Sequence, residues 1–517
     1  MVSPVKTAVQ DIRRFRDIAS VLPRHGFSAG ARTAGLGRFL PDEPEAVEFE
    51  STDELFGEDR SETAVRFRKV LEDLGPTFVK LGQVLSTRPD IMPKEFIEEL
   101  KHLQDKVPAL EFDEVKEQVE DKLDRRLDEA YETFQEKPLA AASIGQAHRA
   151  RTHDGVDVVV KVQRPGIEEK IRSDLDILFY LARLLEATIE EVELYTPTAI
   201  VREFERAILT ELDFLREARS IEEFGANFEE VDKVEVPGVI DELSVKEVLT
   251  MEFVDATPLG AIEGGTERAE RLLNTLLDSL VQMVLYDGFF HGDPHPGNIL
   301  VRDDDTLVFI DFGLVGRLSE GQQDDLIDLI LSVLTGDIEG ISRTLLQMGH
   351  PVGRVNLREF KADIARIRND YLLDNLQEIK VGEFIQDTMN AAQKHRIRIN
   401  PNYAILTKAA MTIEGIMRAL VPDLDIMEVG MPYARDLASR RFSAKKIMQG
   451  VMNSAMGFSG FVQQVPQQLD QILMDLESGN LEISVKNEAL DEIGGVLNTL
   501  GTRISLGIIV AGFAVPA

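Results

Sequence analysis

Residues 291–298 read His291-Gly292-Asp293-Pro294-His295-Pro296-Gly297-Asn298, and Asp311-Phe312-Gly313 follows. That spacing suits phosphoryl transfer. Asp293 can orient or deprotonate an acceptor hydroxyl, and Asn298 and Asp311 can supply hard oxygen ligands for Mg²⁺ on the phosphates of a nucleotide. Lys161 lies inside the β-branched run Val158-Val159-Val160-Lys161-Val162. A strand lysine of this kind can hold α- and β-phosphates if a helical acid keeps it in place.

The acids on offer are Glu211, Asp213 and Glu217 in Glu211-Leu212-Asp213-Phe214-Leu215-Arg216-Glu217. Thr196-Pro197 suits the start of one long helix reaching about Phe224. On a regular helix Glu211 and Asp213 stand about 200° apart and cannot face one cation. Asp213 and Glu217 share a face. Either glutamate can pair with Lys161, which leaves other acids for a second cation.

Loops that cradle phosphates are usually glycine-rich, because backbone amides must approach the ligand closely. The segment ahead of the Lys161 strand is Leu139-Ala140-Ala141-Ala142-Ser143-Ile144-Gly145-Gln146-Ala147, with a single glycine. Its alanines restrict it, so it should close over phosphates less freely. Glu252 and Val254 sit where linker backbone can meet an adenine edge. His291 and His295 have metal-ligand spacing, but no third soft ligand is in view. His291 is better read as a buried residue supporting the loop.

The elements needed to position these residues are legible. Asn298–Val301 reads as a strand, Asp303-Asp304-Asp305 as a turn and Leu307–Ile310 as the return strand, so Asn298 and Asp311 meet at one end of a hairpin. Residues 138–150 and 156–162 read as a second hairpin around His153-Asp154-Gly155. Further strands are expected at Val234–Val236 and Val245–Met251. Helical periodicity covers Glu62–Leu74, Thr77–Ser86, Glu95–Leu103 and Phe112–Leu127, with a break at Gly75-Pro76. Phe78, Leu81 and Leu85 form the apolar stripe of the second helix, and Lys80 and Gln83 share another face. Helices resume at Glu267 and continue to about residue 440.

The chain has 517 residues, too many for one small core, and a net charge of −34 from 91 acidic and 57 basic side chains. Such an excess disfavours nucleic acid as a partner, since phosphates would be repelled. It suits a high-salt, halophilic cytoplasm, where screening shortens the repulsion. The absence of Cys suits a reducing interior. The first residues lack a continuous apolar core, so no secretory leader is expected. Residues 1–40 are basic and residues 41–59 hold only acids among their charges. The first block can touch anionic lipid or lie on the acidic body, and the second reads as a solvated linker. Residues 441–493 are amphipathic. The uncharged stretch Ile504–Ala517 would span about 21 Å as a helix, short of a ~30 Å hydrocarbon core. It can serve as a membrane-surface anchor, as a packed helix, or as the start of a membrane segment.

Together these residues resemble the UbiB/AarF family of atypical, protein-kinase-like proteins, over roughly residues 60–440. Lys80-Leu81-Gly82-Gln83 is similar to the family's Lys-x-Gly-Gln motif, Ala140-Ala141-Ala142-Ser143 to its alanine-rich loop, and Glu211-Leu212-Asp213 to its Glu-x-Asp motif. The segments 291–298 and 311–313 resemble its catalytic and metal loops. The resemblance implies an α+β, two-lobed kinase-like fold, with a small antiparallel-sheet lobe and a larger helical lobe. The expected divisions are a basic segment and acidic linker at 1–60, a helical extension at 61–137, an N-lobe at 138–254, a C-lobe at 255–440, and a helical, apolar-ended tail at 441–517. It implies ATP and Mg²⁺ as cofactors, a role in isoprenoid-quinone or membrane-lipid metabolism, and a Lys-x-Gly-Gln helix covering the site where a protein substrate would lie. A lipid or quinone-precursor ligand and a membrane surface are the partners this implies. Homo-oligomerisation is left open. No Ala-Pro-Glu follows Asp-Phe-Gly, which agrees with a site not built for peptides.

Two other functions compete. The His-Gly-Asp to Asn loop also resembles that of aminoglycoside- and choline-kinase-like small-molecule phosphotransferases, which lack the Lys-x-Gly-Gln helix. A nucleotide-gated membrane scaffold is the third reading. The charge balance generates a direct expectation: the thermal unfolding midpoint should fall as KCl is lowered from molar to millimolar. A midpoint independent of salt would refute the halophilic reading.

Overall fold

Gly75 ends helix α1 (Arg60–Leu74), and Pro76 takes the first turn of α2 (Pro76–Leu85), where a missing N–H leaves no intrahelical bond unmade. Phe78, Leu81 and Leu85 of α2 are buried, as their spacing predicts. The computed structural model describes residues 60–86, 92–103, 108–188, 197–351, 355–372 and 381–422, with some positions between 14 and 27 and between 424 and 435. The chain divides into Met1–Ala438 and Ser439–Ala517. The second unit, with its expected amphipathic helices and apolar tail, lies outside the described residues, as does the acidic linker.

Helix α3 (Lys94–Leu100) stops short of the expected Leu103. The expected helix over 112–127 is cut in two. Asp124, with φ 51°, caps α4 (Phe112–Leu123) in the left-handed region, and a single turn, α5 (Leu127–Ala130), follows.

The chain then turns to strands β1 (Thr133–Phe134), β2 (Ala140–Ala141), β3 (Gly145–Arg151) and β4 (Asp157–Gln163). After α6 (Ile167–Thr188), α7 (Pro197–Glu211) and α8 (Phe214–Phe228) come β5 (Val234–Glu235) and β6 (Val248–Glu252). An antiparallel sheet runs in the order β1-β3-β4-β6, with β2 also on β3. Strand alternation divides its faces. Val158, Val160 and Val162 pack with Val115 and Val119 of α4 in a separate core. Residues 159, 161 and 163 therefore point the other way.

β5 was expected among the small-lobe strands. Instead it pairs in parallel with β10 of a second sheet, ordered β5-β10-β9-β7. That sheet contains β7 (Thr257–Pro258), and helix α9 (Glu267–Val281) follows it in sequence, its N-cap Thr266 accepting a bond from Ala269 N. β8 (Phe289–His291) leads to the expected hairpin, β9 (Ile299–Val301) and β10 (Leu307–Phe309). β11 (Val315–Arg317) returns to pair with β8. Helices α10 (Glu320–Thr335) and α11 (Ile338–Met348), the short β12 (Gly349–Pro351), α12 (Leu357–Leu372), α13 (Val381–Lys394), β13 (Ile397–Ile399) and α14 (Pro401–Leu420) complete the described chain. Among the described residues no helix is long and apolar enough to cross a membrane.

The helical extension is tied to α6 by a buried carboxylate. Asp174 Oδ1 lies 2.6 Å from Arg14 Nε, and Thr77 Oγ1 donates to its Oδ2 at 2.5 Å. Arg14, one of the basic N-terminal residues, thus lies on the acidic body, and its Nη2 also donates to Leu74 O.

Phe204, fully buried on α7, tests the core that α7 shares with α2. Phe204→Ala should cost about 3–5 kcal/mol, read as a lower urea midpoint. Arg202→Ala, at an exposed position of the same helix, should stay within about 0.5 kcal/mol.

Candidate functional site

Lys161 faces the cleft because its even-numbered neighbours are committed to the α4 core. It stands in register between Ala147 of β3 and Leu249 of β6. Its Nζ donates to Glu217 Oε1 at 2.5 Å and lies 3.5 Å from Asp311 Oδ1. Glu217 Oε1 also accepts from Phe312 N at 3.1 Å. Burial works against the charge on Lys161, but Asp311 and Glu217 outweigh it and raise its pKa above the ordinary value. Lys161 in turn holds Asp311 below the usual carboxylate range, while burial pushes Glu217 up.

Glu217 reaches Lys161 because the expected single helix is two helices. The break falls at Leu212-Asp213, where Asp213 has φ −112° and ψ 87°. Groups outside the helix take up the freed backbone: Gln163 Nε2 donates to Leu212 O at 2.6 Å, and Phe214 N donates to Lys246 O at 3.0 Å. The angular argument for a regular helix therefore does not apply. Glu211 ends α7 and forms an ion pair with Lys80 of α2 at 2.6 Å. Asp213 lies 3.4 Å from Arg216 and is not brought to Lys161. Gln83, one turn along from Lys80, is partly exposed.

The loop from β8 is built around His291, which is 2% exposed. Its Nδ1 accepts from Asp293 N at 3.1 Å, and its Nε2 donates to Ile310 O at 3.2 Å, which makes it a neutral tautomer. Both nitrogens are engaged, so His291 supports the loop and is not a ligand. Asn298 Nδ2 donates to Asp293 O at 3.2 Å, and Ile310 N donates to Asn298 O at 2.9 Å. The hairpin thus brings Asn298 beside Asp311. Asp311 has φ 64°, a strained backbone for a residue other than glycine. Asp293 Oδ1 meets Lys408 Nζ of α14 at 3.3 Å. Sequence reasoning missed Lys408, since nothing local links it to Asp293.

The alanine-rich loop serves the fold more than expected. Gly145 does not free the backbone for a ligand: a Cβ there would lie 2.6 Å from Val162 O, so the glycine allows β3 to approach β4. Ser143, Ile144 and Gln146 are buried. Gln146 bonds Leu110 N and His148 on the face opposite Lys161, so its side chain is not brought into the cleft. Leu139, Ala140 and Ala142 are exposed, with Ala141 and Ala147 partly so. Arg164, also missed, braces the loop by donating to Ala142 O at 3.1 Å and Pro108 O at 2.7 Å. Its signal was the Arg-Pro-Gly directly after the lysine strand. At the linker, the Glu252 side chain accepts from Gly238 N and is turned away from the cleft. Phe253 N donates to Asp157 O and precedes Val254, which is partly buried. Only the backbone at 252–254 is left to meet a ligand.

The ABC1 atypical kinase-like domain matches residues 102–345, and the UbiB helical domain matches residues 364–425. A probable protein kinase UbiB from Marinobacter nauticus is 32% identical, covering 82% of this chain and 79% of that protein. The chloroplastic ACTIVITY OF BC1 COMPLEX KINASE 7 of Arabidopsis thaliana is 31% identical over 83% of this chain and 63% of that one. Among solved structures, Rv3197 of Mycobacterium tuberculosis in complex with erythromycin superposes with a TM-score of 0.50 at 24% identity, covering 77% of this chain and all of that one. The fold is the two-lobed, kinase-like α+β fold.

Burial lowers the pKa of His291, against the bond to Ile310 O and the nearby carboxylates. As pH falls, the unfolded chain then takes a proton before the folded one does. The stability tied to neutral His291 is full above about pH 6.5 and is lost as pH drops through the folded value. The urea midpoint should fall between about pH 7 and pH 5.5, and fall less in His291→Asn. Equal slopes in the two proteins would contradict this assignment.

Proposed function

Because this chain belongs to the ABC1/UbiB family of atypical kinase-like proteins, we propose that it binds ATP with Mg²⁺ and transfers or hydrolyses the γ-phosphoryl group. The observation that carries this reading is the grip on Lys161, held between Glu217 and Asp311 at the mouth of the Asp293–Asn298 loop. An intact lysine, two metal-type ligands and a carboxylate at the acceptor position argue for chemistry over a silent scaffold.

Lys161 holds the α- and β-phosphates. Asn298 and Asp311 fit Mg²⁺, which takes one or two protein oxygens and completes its shell with phosphate oxygens and water. When bound, the ion neutralises charge on the phosphates. Asp293 orients the acceptor and takes its proton as the new O–P bond forms and ADP departs. The backbone at Glu252 and Val254 meets adenine. The alanines 140–142, exposed or partly so, cover the phosphates.

The Lys80–Glu211 ion pair supports a roofed site, with α2 where a peptide would otherwise lie. The phosphate acceptor is then a small molecule, a lipid or water. The UbiB name carried by relatives favours isoprenoid-quinone or membrane-lipid metabolism as the setting, acting at a membrane surface.

Asp311→Asn should abolish Mg²⁺-dependent ATP turnover by purified protein in high salt, a loss on the order of 10²-fold or more. Turnover equal to the parent protein would refute the metal role. Lipid vesicles with quinone-precursor mimics should raise the parent rate if the acceptor reading holds.

A further inference from the structure

We propose that Lys408 of α14 is a catalytic residue of this site, its ammonium binding the transferred phosphoryl group while Asp293 takes the acceptor proton. The inference rests on the phosphoryl-transfer reading and adds to it a cation from outside the two sheets.

A dissociative transfer spreads negative charge over the three equatorial oxygens of the moving group, and a cation on the acceptor side would stabilise it. The loop between Asp293 and Asn298 is Pro294-His295-Pro296-Gly297 and holds no permanent cation. His295 Nδ1 is engaged, accepting from Gly297 N. Lys161, paired with Glu217 and Asp311, is assigned to the α- and β-phosphates and not to the acceptor side. Lys408 Nζ, 3.3 Å from Asp293 Oδ1, is the ammonium at the acceptor position.

The ion pair is open to solvent, with side chains 40% and 42% exposed, so it does little for folding. Its accessibility suits a group that meets substrate. A second observation shows that the loop is shaped to receive α14. At Gly292, next to Asp293, a Cβ would lie 2.9 Å from Ile405 Cγ2 and 2.8 Å from Leu314 Cγ. Ile405 and Lys408 are three apart and share a face of α14. The close approach permitted by glycine is therefore the approach that delivers Lys408. The helix is anchored near its N-terminus by Asn402 Nδ2 donating to Arg317 O at 2.6 Å and Tyr403 OH donating to Gln322 O at 3.1 Å.

In the step, the acceptor oxygen forms a bond to the γ-phosphorus and its proton passes to Asp293. The bond from that phosphorus to the bridging oxygen breaks, and ADP keeps the electron pair. Lys408 keeps its proton throughout and hydrogen-bonds the equatorial oxygens.

The test compares full-length parent, Lys408→Met, Lys408→Arg and Asp311→Asn for Mg²⁺-ATP turnover and for binding of ATP and ADP. Lys408→Met should lower kcat by roughly 10²-fold, weaken ATP and leave ADP affinity unchanged, because ADP lacks the contacted group. Lys408→Arg should recover part of kcat. Parent-like turnover in Lys408→Met would overturn the proposal, and so would equal weakening of ATP and ADP. If the parent itself turns over no faster than Asp311→Asn, the phosphoryl-transfer reading falls first and the role of Lys408 with it.

Discussion

One carboxylate oxygen, Oε1 of Glu217, takes bonds from both Lys161 Nζ and Phe312 N. A buried carboxylate is costly unless its partners are in place, so this oxygen binds three segments far apart in sequence: the lysine strand, α8 and the Asp-Phe-Gly turn. Aromatic packing reinforces the junction. Phe312 meets Phe224 edge-on at 4.9 Å, and Phe224 stacks on Phe228 at 4.5 Å. The face of α8 that carries Glu217 inward is thus held by its own apolar stripe against the turn that carries Asp311.

The break between α7 and α8 divides the acidic motif between two tasks. Glu211 holds the helical extension through Lys80, and Glu217 holds Lys161. Gln163, two residues beyond that lysine, bonds the carbonyl at the break itself. The strand that presents Lys161 therefore also sets the place where the helix stops. The contacts of α2 and of Lys161 thus lie on opposite sides of the same helix break.

Much of the site was legible because it is local. Period-two alternation around Lys161, the acidic turn between Asn298 and Asp311, and Gly75-Pro76 each report on neighbours a few residues away. The fold departs from the sequence reading where distant partners override local pattern. Residues 197–224 are periodic throughout, yet Gln163 and Lys246 capture the backbone at 212–214. Val234–Glu235 reads like any short strand, and its choice of β10 over the first sheet has no local signature. The segment 139–147 reads as a phosphate loop poor in glycine, and its single Gly145 makes room for the carbonyl of Val162. Lys408 lies more than a hundred residues from Asp293, on a helix whose pattern reports only its own packing.

That last contact bears on how the chain is made. Synthesis delivers Lys161, Glu217, Asp293 and Asp311 well before α14. At ribosomal rates of about 5–20 residues per second, the stretch from Asp311 to Lys408 takes on the order of 5–20 s. During that interval Asp293 lacks its neighbouring ammonium, and Gly292 faces no helix. Lys161, Glu217 and Asp311 are therefore synthesised before the helix that supplies the partner of Asp293. The order of synthesis is thus written into the distance between two residues.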